Sequence, residues 1–187
     1  MPRIFDILVA ALALAILSPV LLVAAIAIKL TSRGPVIYRQ RRVGLGGREF
    51  EMWKLRTMVQ GSDPVGVGKV VYRDDPRVTA PGRFLRRASL DEIPNLVNVL
   101  RGEMAIVGPR PTIKAQVDDY TPHQKRRHEV LPGITGWAQV QGRAGIPWEE
   151  RIELDVWYVD HRTFTLDARI LAKTLQLVLT GQGLAPD

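Results

Sequence analysis

The run from Ile7 to Ile28, 22 consecutive residues without a charge, restricts this chain more than any other feature. At about 1.5 Å per residue a straight helix of that length reaches roughly 33 Å, enough to cross a bilayer core. A buried helix of a water-soluble domain is rarely so long and so uniform. Three paths are compatible with the run. A cleaved signal peptide would use Ala25-Ile26-Ala27 as its small-residue cleavage site. Against that path, the run exceeds the usual ~7–15 residues, Asp6 weakens the basic start, and arginines that resist translocation follow at once. A spanning helix is the second path, and a re-entrant hairpin that enters and leaves on one side is the third. Ser18-Pro19 falls near the middle of the run. Proline removes a backbone donor and crowds the preceding turn, so a bend is expected there, and the Ser18 hydroxyl is placed to satisfy a freed carbonyl. Each half is then about 11 residues, or roughly 16 Å, which reaches only mid-bilayer. The residues alone leave the spanning and re-entrant paths open. Both keep the basic body that follows in the cytoplasm.

The chain's 187 residues fit one domain, or one domain plus a membrane anchor. It has no cysteine, which excludes a disulfide framework and any Cys-based metal site or nucleophile. The formal net charge of +7 is unevenly spread. Arg33, Arg39, Arg41, Arg42, Arg48, Lys54 and Arg56 face only Glu49 and Glu51 between Ser32 and Arg56. A basic block directly after an apolar run attracts anionic headgroups, and phosphate-bearing substrates would draw on the same field.

Beyond the apolar run, glycines 34, 44, 46 and 47 separate two β-prone pieces, Val36-Ile37-Tyr38 and Glu49 to Trp53, and predict a small hairpin. Gly44-Leu45-Gly46-Gly47 lacks the spacing of either nucleotide fingerprint and reads as a turn. A polar loop is expected over 61–76. Helices are expected at about 89–101, 112–129, 148–160 and 167–180, with Pro147 opening the third, Asp167 capping the last and Gly181 ending it. The last is amphipathic: Arg169, Lys173, Gln176 and Thr180 oppose Ile170, Leu171, Leu175 and Val178. Packing on a core and lying in a bilayer interface both account for that face.

The densest chemistry lies in Arg86-Arg87-Ala88-Ser89-Leu90-Asp91-Glu92-Ile93-Pro94-Asn95. Ser89-x-x-Glu92 has the form of a capping box, and acidic residues favour helix starts in any case. With Ser89 as cap, Pro94 would fall where its missing donor breaks a bond. With Asp91 as cap, Pro94 falls at the third helical position and costs nothing, and it leaves the Asp91 carboxylate less occupied. An ionised, partly free Asp beside Arg86 and Arg87 suits metal binding or attack on a phosphorus atom. Arg110, stiffened by Pro109 and Pro111, and Arg143, after Gly142, are candidate phosphate clamps, as is Arg86. Lys54 and Asp155 are supporting candidates that a surface role or an internal ion pair explains equally well. Trp137 and Trp148 suit core packing or stacking on a base. His123, His128 and His161 show no metal spacing.

Several separated motifs, in order, give the chain a resemblance. Ser89-Leu90-Asp91-Glu92-Ile93-Pro94, Gly108-Pro109-Arg110-Pro111, Pro132-Gly133-Ile134-Thr135-Gly136-Trp137-Ala138-Gln139 and Gly142-Arg143 carry it. So do the Ser-Pro-broken apolar start, Tyr38 to Gly44, Lys54 to Met58, and Tyr158-Val159-Asp160. The chain resembles the bacterial sugar transferases, small monotopic phosphoglycosyl transferases that start glycoconjugate assembly on a polyprenol phosphate. On this resemblance the 187 residues correspond to the short catalytic unit, and the additional transmembrane bundle of the larger members is not expected. The resemblance implies a mainly α fold with minor β structure, in which residues 1–30 form a re-entrant membrane helix broken at Ser18-Pro19. Residues 31–187 would form a cytoplasmic catalytic domain with interfacial amphipathic helices, at the cytoplasmic face of the bacterial inner membrane. It implies that Asp91 attacks the β-phosphate of a UDP-sugar and releases UMP, and that polyprenol phosphate then takes the phosphosugar. Glu92 would assist as a base or as a support for the metal site. Mg²⁺, with Asp91 a ligand, would neutralise the diphosphate. Membrane lipids would be partners, nucleic acid would not, and downstream glycosyltransferases would use the product.

Two other functions fit parts of the sequence. A non-catalytic basic module binding anionic lipid or nucleic acid would explain the charge, but it leaves the acidic pair and the Pro-Arg-Pro segment without a common purpose. A lipid-phosphate phosphatase could also use an Asp nucleophile with Mg²⁺.

Overall fold

A computed structural model describes residues 1–62, 75–142 and 145–180. Arg143, most of the 61–76 loop and Gly181 lie outside the described residues. The described elements are helical with two small sheets, an α+β arrangement.

Helix α1 runs from Arg3 to Thr31, 29 residues. It is long and apolar enough to cross a membrane. The expected break at Ser18-Pro19 is absent from its secondary structure, which continues through Pro19. The expected local repair is present: the Ser18 hydroxyl donates to the Ala15 carbonyl at 2.8 Å. That carbonyl is four residues before Pro19, and so is the one that proline leaves without its usual donor. Ile4, Leu8, Leu12 and Ile16 are exposed in steps of four, and Leu22, Val23, Ile26 and Leu30 are exposed further along. Asp6, Ala10, Ala24 and Ile28 are buried against the body.

Strands β1 (Ile37–Val43) and β2 (Glu49–Leu55) form the expected antiparallel hairpin, with Tyr38 opposite Lys54 and Gln40 opposite Met52. Alternation puts Tyr38, Gln40, Arg42, Met52 and Lys54 on one face. After helix α2 (Ala80–Arg87), the expected helix over 89–101 is divided. A 3₁₀ turn covers Leu90–Glu92 and helix α3 covers Asn95–Arg101. Pro94 is the cause, because it has no N–H to give the Leu90 carbonyl, which accepts instead from Ile93 at 3.3 Å.

The short strand β3 (Ala105–Val107) is followed by one-turn helices α4 (Lys114–Val117) and α5 (Pro122–Lys125) and a 3₁₀ turn, Arg126–His128. One helix was expected over 112–129. Pro122 explains the division, since it favours a new start, and Thr121 caps that start with a reciprocal Gln124 bond. Strand β4 (Gly133–Thr135) pairs in parallel with β3. Their backbones approach so closely that a Cβ on Gly133 would lie 2.1 Å from the Gly108 nitrogen. A Cβ on Gly136 would lie 2.2 Å from the Gly108 carbonyl oxygen. The glycines of the two Gly-Pro-rich motifs therefore let these segments touch, and the contact fixes the loop that carries Arg110.

Helices α6 (Trp137–Gln141), α7 (Trp148–His161) and α8 (Phe164–Thr180) complete the described chain. The start of α8 differs from expectation. Thr163 accepts the Leu166 N–H at 3.1 Å, while Asp167 is buried and accepts the Tyr158 hydroxyl at 2.7 Å. The apolar face of α8 also divides. Ile170 and Leu171 pack on the core, whereas Leu175 and Val178 are exposed.

Candidate active site

The turn Leu90–Glu92 is aimed by the residue before it. Ser89 has φ 55°, the only positive φ at a non-glycine among the described residues. Left-handed geometry ends α2, where the Ser89 N–H donates to the Arg86 carbonyl at 3.0 Å, and starts the turn in a new direction. A helix cap needs extended backbone, so the capping box does not form: neither Ser89 nor Asp91 caps a helix with its side chain. In a 3₁₀ turn, consecutive side chains diverge by about 120°. Asp91 and Glu92 accordingly enter different surroundings along one cavity of about 1480 Å³.

Glu92 is enclosed by cations. Lys54, on the inward face of β2, donates to it at 2.8 Å. Arg110 donates through both terminal nitrogens to the two Glu92 oxygens, one bond measuring 3.1 Å. Although burial opposes ionisation, Arg110 and Lys54 hold Glu92 well below the usual carboxylate range. Arg110 is raised by the Glu92 charge. Burial lowers Lys54, with Glu92 in partial opposition.

Asp91 contrasts with its neighbour. Among the described residues its carboxylate has no hydrogen-bond or ion-pair partner, although it lines the same cavity. Burial, then the Glu92 charge, push its pKa up to about 6. Arg86 stands beside it, with Nε donating to the Thr57 hydroxyl at 2.8 Å. Burial lowers Arg86, while Asp91 is the first charge acting to raise it.

Two supports hold this constellation. Asn98, fully buried on α3, donates to the Glu51 carbonyl at 2.6 Å and accepts the Trp53 N–H at 3.0 Å. It thereby fixes the part of β2 that presents Lys54. Behind Arg110, the buried Arg127 donates to the Arg110 carbonyl at 2.9 Å, to the Tyr120 hydroxyl at 2.8 Å and to the Asp155 carboxylate. Asp155 is therefore bound in an internal ion pair on the cavity wall. No motif in the sequence points to Arg127 or Asn98. For Asn98, the one signal is that it shares a helix face with Asp91 and Asn95, away from the apolar stripe of Leu90, Ile93, Leu96, Val97 and Leu100.

The structure thus brings Lys54, Arg86, Asp91, Glu92, Arg110 and Asp155 to one cavity. Trp148 lines it as well, and Trp137 instead stacks on Trp157 at 5.2 Å. Among the described residues there is no group of three His, Cys, Asp or Glu side chains able to hold a metal ion. A free carboxylate beside a fixed cationic cluster, in a cavity next to an apolar helix, defines a site for phosphate-group chemistry.

Comparison with known proteins supplies the class. The family described as bacterial sugar transferase matches residues 1–181. The chain belongs to that family and is an enzyme of the phosphoglycosyl transferase class. It is 44% identical to the "uncharacterized sugar transferase EpsL" of Bacillus subtilis (strain 168), over 97% of this chain and 89% of that protein. It is 45% identical to a "UDP-glucose:undecaprenyl-phosphate glucose-1-phosphate transferase" of Caulobacter vibrioides (strain ATCC 19089 / CIP 103742 / CB 15), over 95% of this chain and 69% of that protein. An Aeromonas hydrophila "UDP-N-acetylgalactosamine-undecaprenyl-phosphate N-acetylgalactosaminephosphotransferase" is 41% identical over 97% of this chain, which spans 44% of that protein.

Proposed function

We propose that this enzyme transfers a sugar 1-phosphate from a UDP-sugar to a polyprenol phosphate through a phosphosugar carried on Asp91. The observation that carries the reading is the contrast within the acidic pair: Glu92 is saturated by Arg110 and Lys54, while Asp91 has no partner among the described residues. In the first step an Asp91 oxygen attacks the β-phosphorus. The bond from that phosphorus to the bridging oxygen breaks, and UMP leaves with the electron pair. In the second step an oxygen of the acceptor phosphate attacks the same phosphorus and the Asp91–phosphorus bond breaks, regenerating the carboxylate. Arg86 is placed to hold the equatorial oxygens. Glu92 is a poor base, because its charge is already neutralised from two sides. Its role in this reading is to fix Lys54 and Arg110 so that their remaining donors face the substrate phosphates.

Magnesium fits the oxygen-donor chemistry of this wall. A hard cation held by one carboxylate and the substrate's own phosphates needs no dedicated protein cage. Asp91 would be the protein ligand, and the ion would supply charge neutralisation of the diphosphate.

The membrane geometry supports an acceptor reached from the lipid. Near its start α1 is tied to the body: Arg3 donates to the Val99 and Met104 carbonyls, and Asp6 accepts the Ile106 N–H at 3.1 Å. Near its end Ala24 and Ile28 pack with Leu55 and Leu85 of the same body. Both ends on one body favour a helix that dips into one leaflet over one that spans, with residues 31–187 as the catalytic domain on the cytoplasmic face. An apolar cleft of about 350 Å³ between α1 and α2, lined by Pro19, Val23, Phe84 and Leu85, reaches Leu90 next to Asp91. It suits the apolar chain of the acceptor.

The test is incubation of detergent-solubilised protein with UDP-sugars, Mg²⁺ and polyprenol phosphate while UMP is followed. UMP release that Asp91→Asn abolishes is expected. Unchanged release in Asp91→Asn would remove the nucleophile, and phosphate release without sugar transfer would indicate a phosphatase. For topology, a cysteine placed at position 2 should label only from the cytoplasmic side, and periplasmic labelling would exclude the re-entrant path.

A further inference from the structure

Arg151 belongs to none of the motifs that point to the reaction, yet it has the most unused binding capacity on the cavity wall. It sits one turn before Asp155 on α7 and lines the cavity between Trp148 and Asp155. Its Nε is buried without a partner, and among the described residues its guanidinium makes no hydrogen bond or ion pair. The other arginines on this wall are engaged. Arg110 holds Glu92, Arg127 holds Asp155 and Tyr120, Arg56 holds the Ser32 and Arg33 carbonyls, and Arg42 holds Gln40. Arg39 lies against Glu51, and Arg86 uses Nε on Thr57. The acidic group one turn further along its own helix, Asp155, feels the Arg151 charge but has its ion pair with Arg127.

We infer that Arg151 binds the nucleotide phosphate of the donor, at a subsite on the side of the cavity away from the membrane helix. A guanidinium has five donors and no acceptor, so the ligand that completes it is an acceptor-only group such as a phosphate, met bidentately. Position decides which phosphate. Helix α7 packs on α5, α6 and the 126–128 turn, whereas α1 packs on α2, α3 and β3. An acceptor arriving from the membrane side meets Arg86 and Asp91 first. The water-soluble half of the donor then extends toward α7, where Arg151 and the ring of Trp148 line the wall. The inference deepens the proposed donor reading and rests on it.

The test measures UMP binding by titration calorimetry to the solubilised full chain, and steady-state KM for both substrates, in wild type, Arg151→Gln and Arg151→Lys. Loss of a hydrogen-bonded charge predicts UMP binding weakened roughly 10- to 100-fold in Arg151→Gln. The donor KM should rise by a similar factor and by more than kcat falls, with the polyprenol phosphate KM unchanged. Arg151→Lys should recover part of the UMP affinity at wild-type Tm, which keeps the test open if the glutamine variant folds poorly. UMP affinity equal to wild type in an active Arg151→Gln enzyme would overturn the inference. So would a rise confined to the acceptor KM. A wild-type protein that neither binds UMP nor transfers sugar phosphate would overturn the donor reading itself.

Discussion

Two ion clusters lie along one cavity, and they differ in how completely they are closed. The cluster on the α7 side, Arg127 with Asp155 and Tyr120, is almost fully buried, and Arg127 also ties down the Arg110 carbonyl. The cluster around the acidic turn joins Lys54 and Arg110 to Glu92 and leaves Asp91 outside the network, facing the cavity. The first arrangement is that of a support, whose charges are spent on one another. The second is that of a site, because one reactive group is excluded from the pairing that satisfies its neighbours. A charged residue in a cleft therefore acquires a chemical role through what fails to neutralise it, and burial alone does not confer one.

That difference can be broken experimentally, and the largest effect should come from the unpaired member. Asp91→Asn is expected to lower UMP release about 10⁴-fold or more with the fold intact, a loss of the size seen when a nucleophile is removed. Next comes the support. Asp155→Ala leaves Arg127 buried without its carboxylate and should cost about 3–5 kcal/mol in urea unfolding. A loss of transfer without a loss of stability would place Asp155 in the chemistry instead. Glu92→Gln should lower transfer by about 10²-fold, since Lys54 and Arg110 lose the charge that orients them.

The smallest effect is a pH dependence. In the proposed reaction Asp91 attacks only when ionised, so with a pKa of about 6 in the free enzyme, kcat/KM should rise through pH 6 and level off above it. Stability should run the other way. The folded pKa is above the unfolded value of 3.8, so the folded state binds more protons between them, and ionised Asp91 costs stability above pH 6. Asp91→Asn should thus raise Tm above pH 6 and leave it unchanged below pH 4. A Tm that falls at neutral pH would mean that the carboxylate has a structural partner.

The legible parts of the sequence were those governed by local chemistry. The apolar run, the hairpin around Gly44 to Gly47 and the helix after Pro147 depend on periodicity and turn residues, and each appears in the fold. The acidic turn was located but its geometry was not, because the Ser89 φ is imposed by the junction with α2 and no local preference of serine signals it. Pro94 shapes this segment in another way than the sequence predicts. It tightens the turn before it and does not permit an Asp91 cap. The roles of Arg127 and Asn98 depend on partners far away in the chain, Asp155 for the first and Glu51 and Trp53 for the second, and no spacing rule carries such pairings.

The central claim is a covalent phosphosugar on Asp91, and intact-protein mass measurement after mixing with UDP-sugar in the absence of acceptor tests it most directly. The account predicts a burst of UMP of about one equivalent, a mass increase equal to one phosphosugar, and its loss on adding polyprenol phosphate or on Asp91→Asn substitution. UMP release that requires the acceptor from the first turnover, with no mass change at any time, would contradict it.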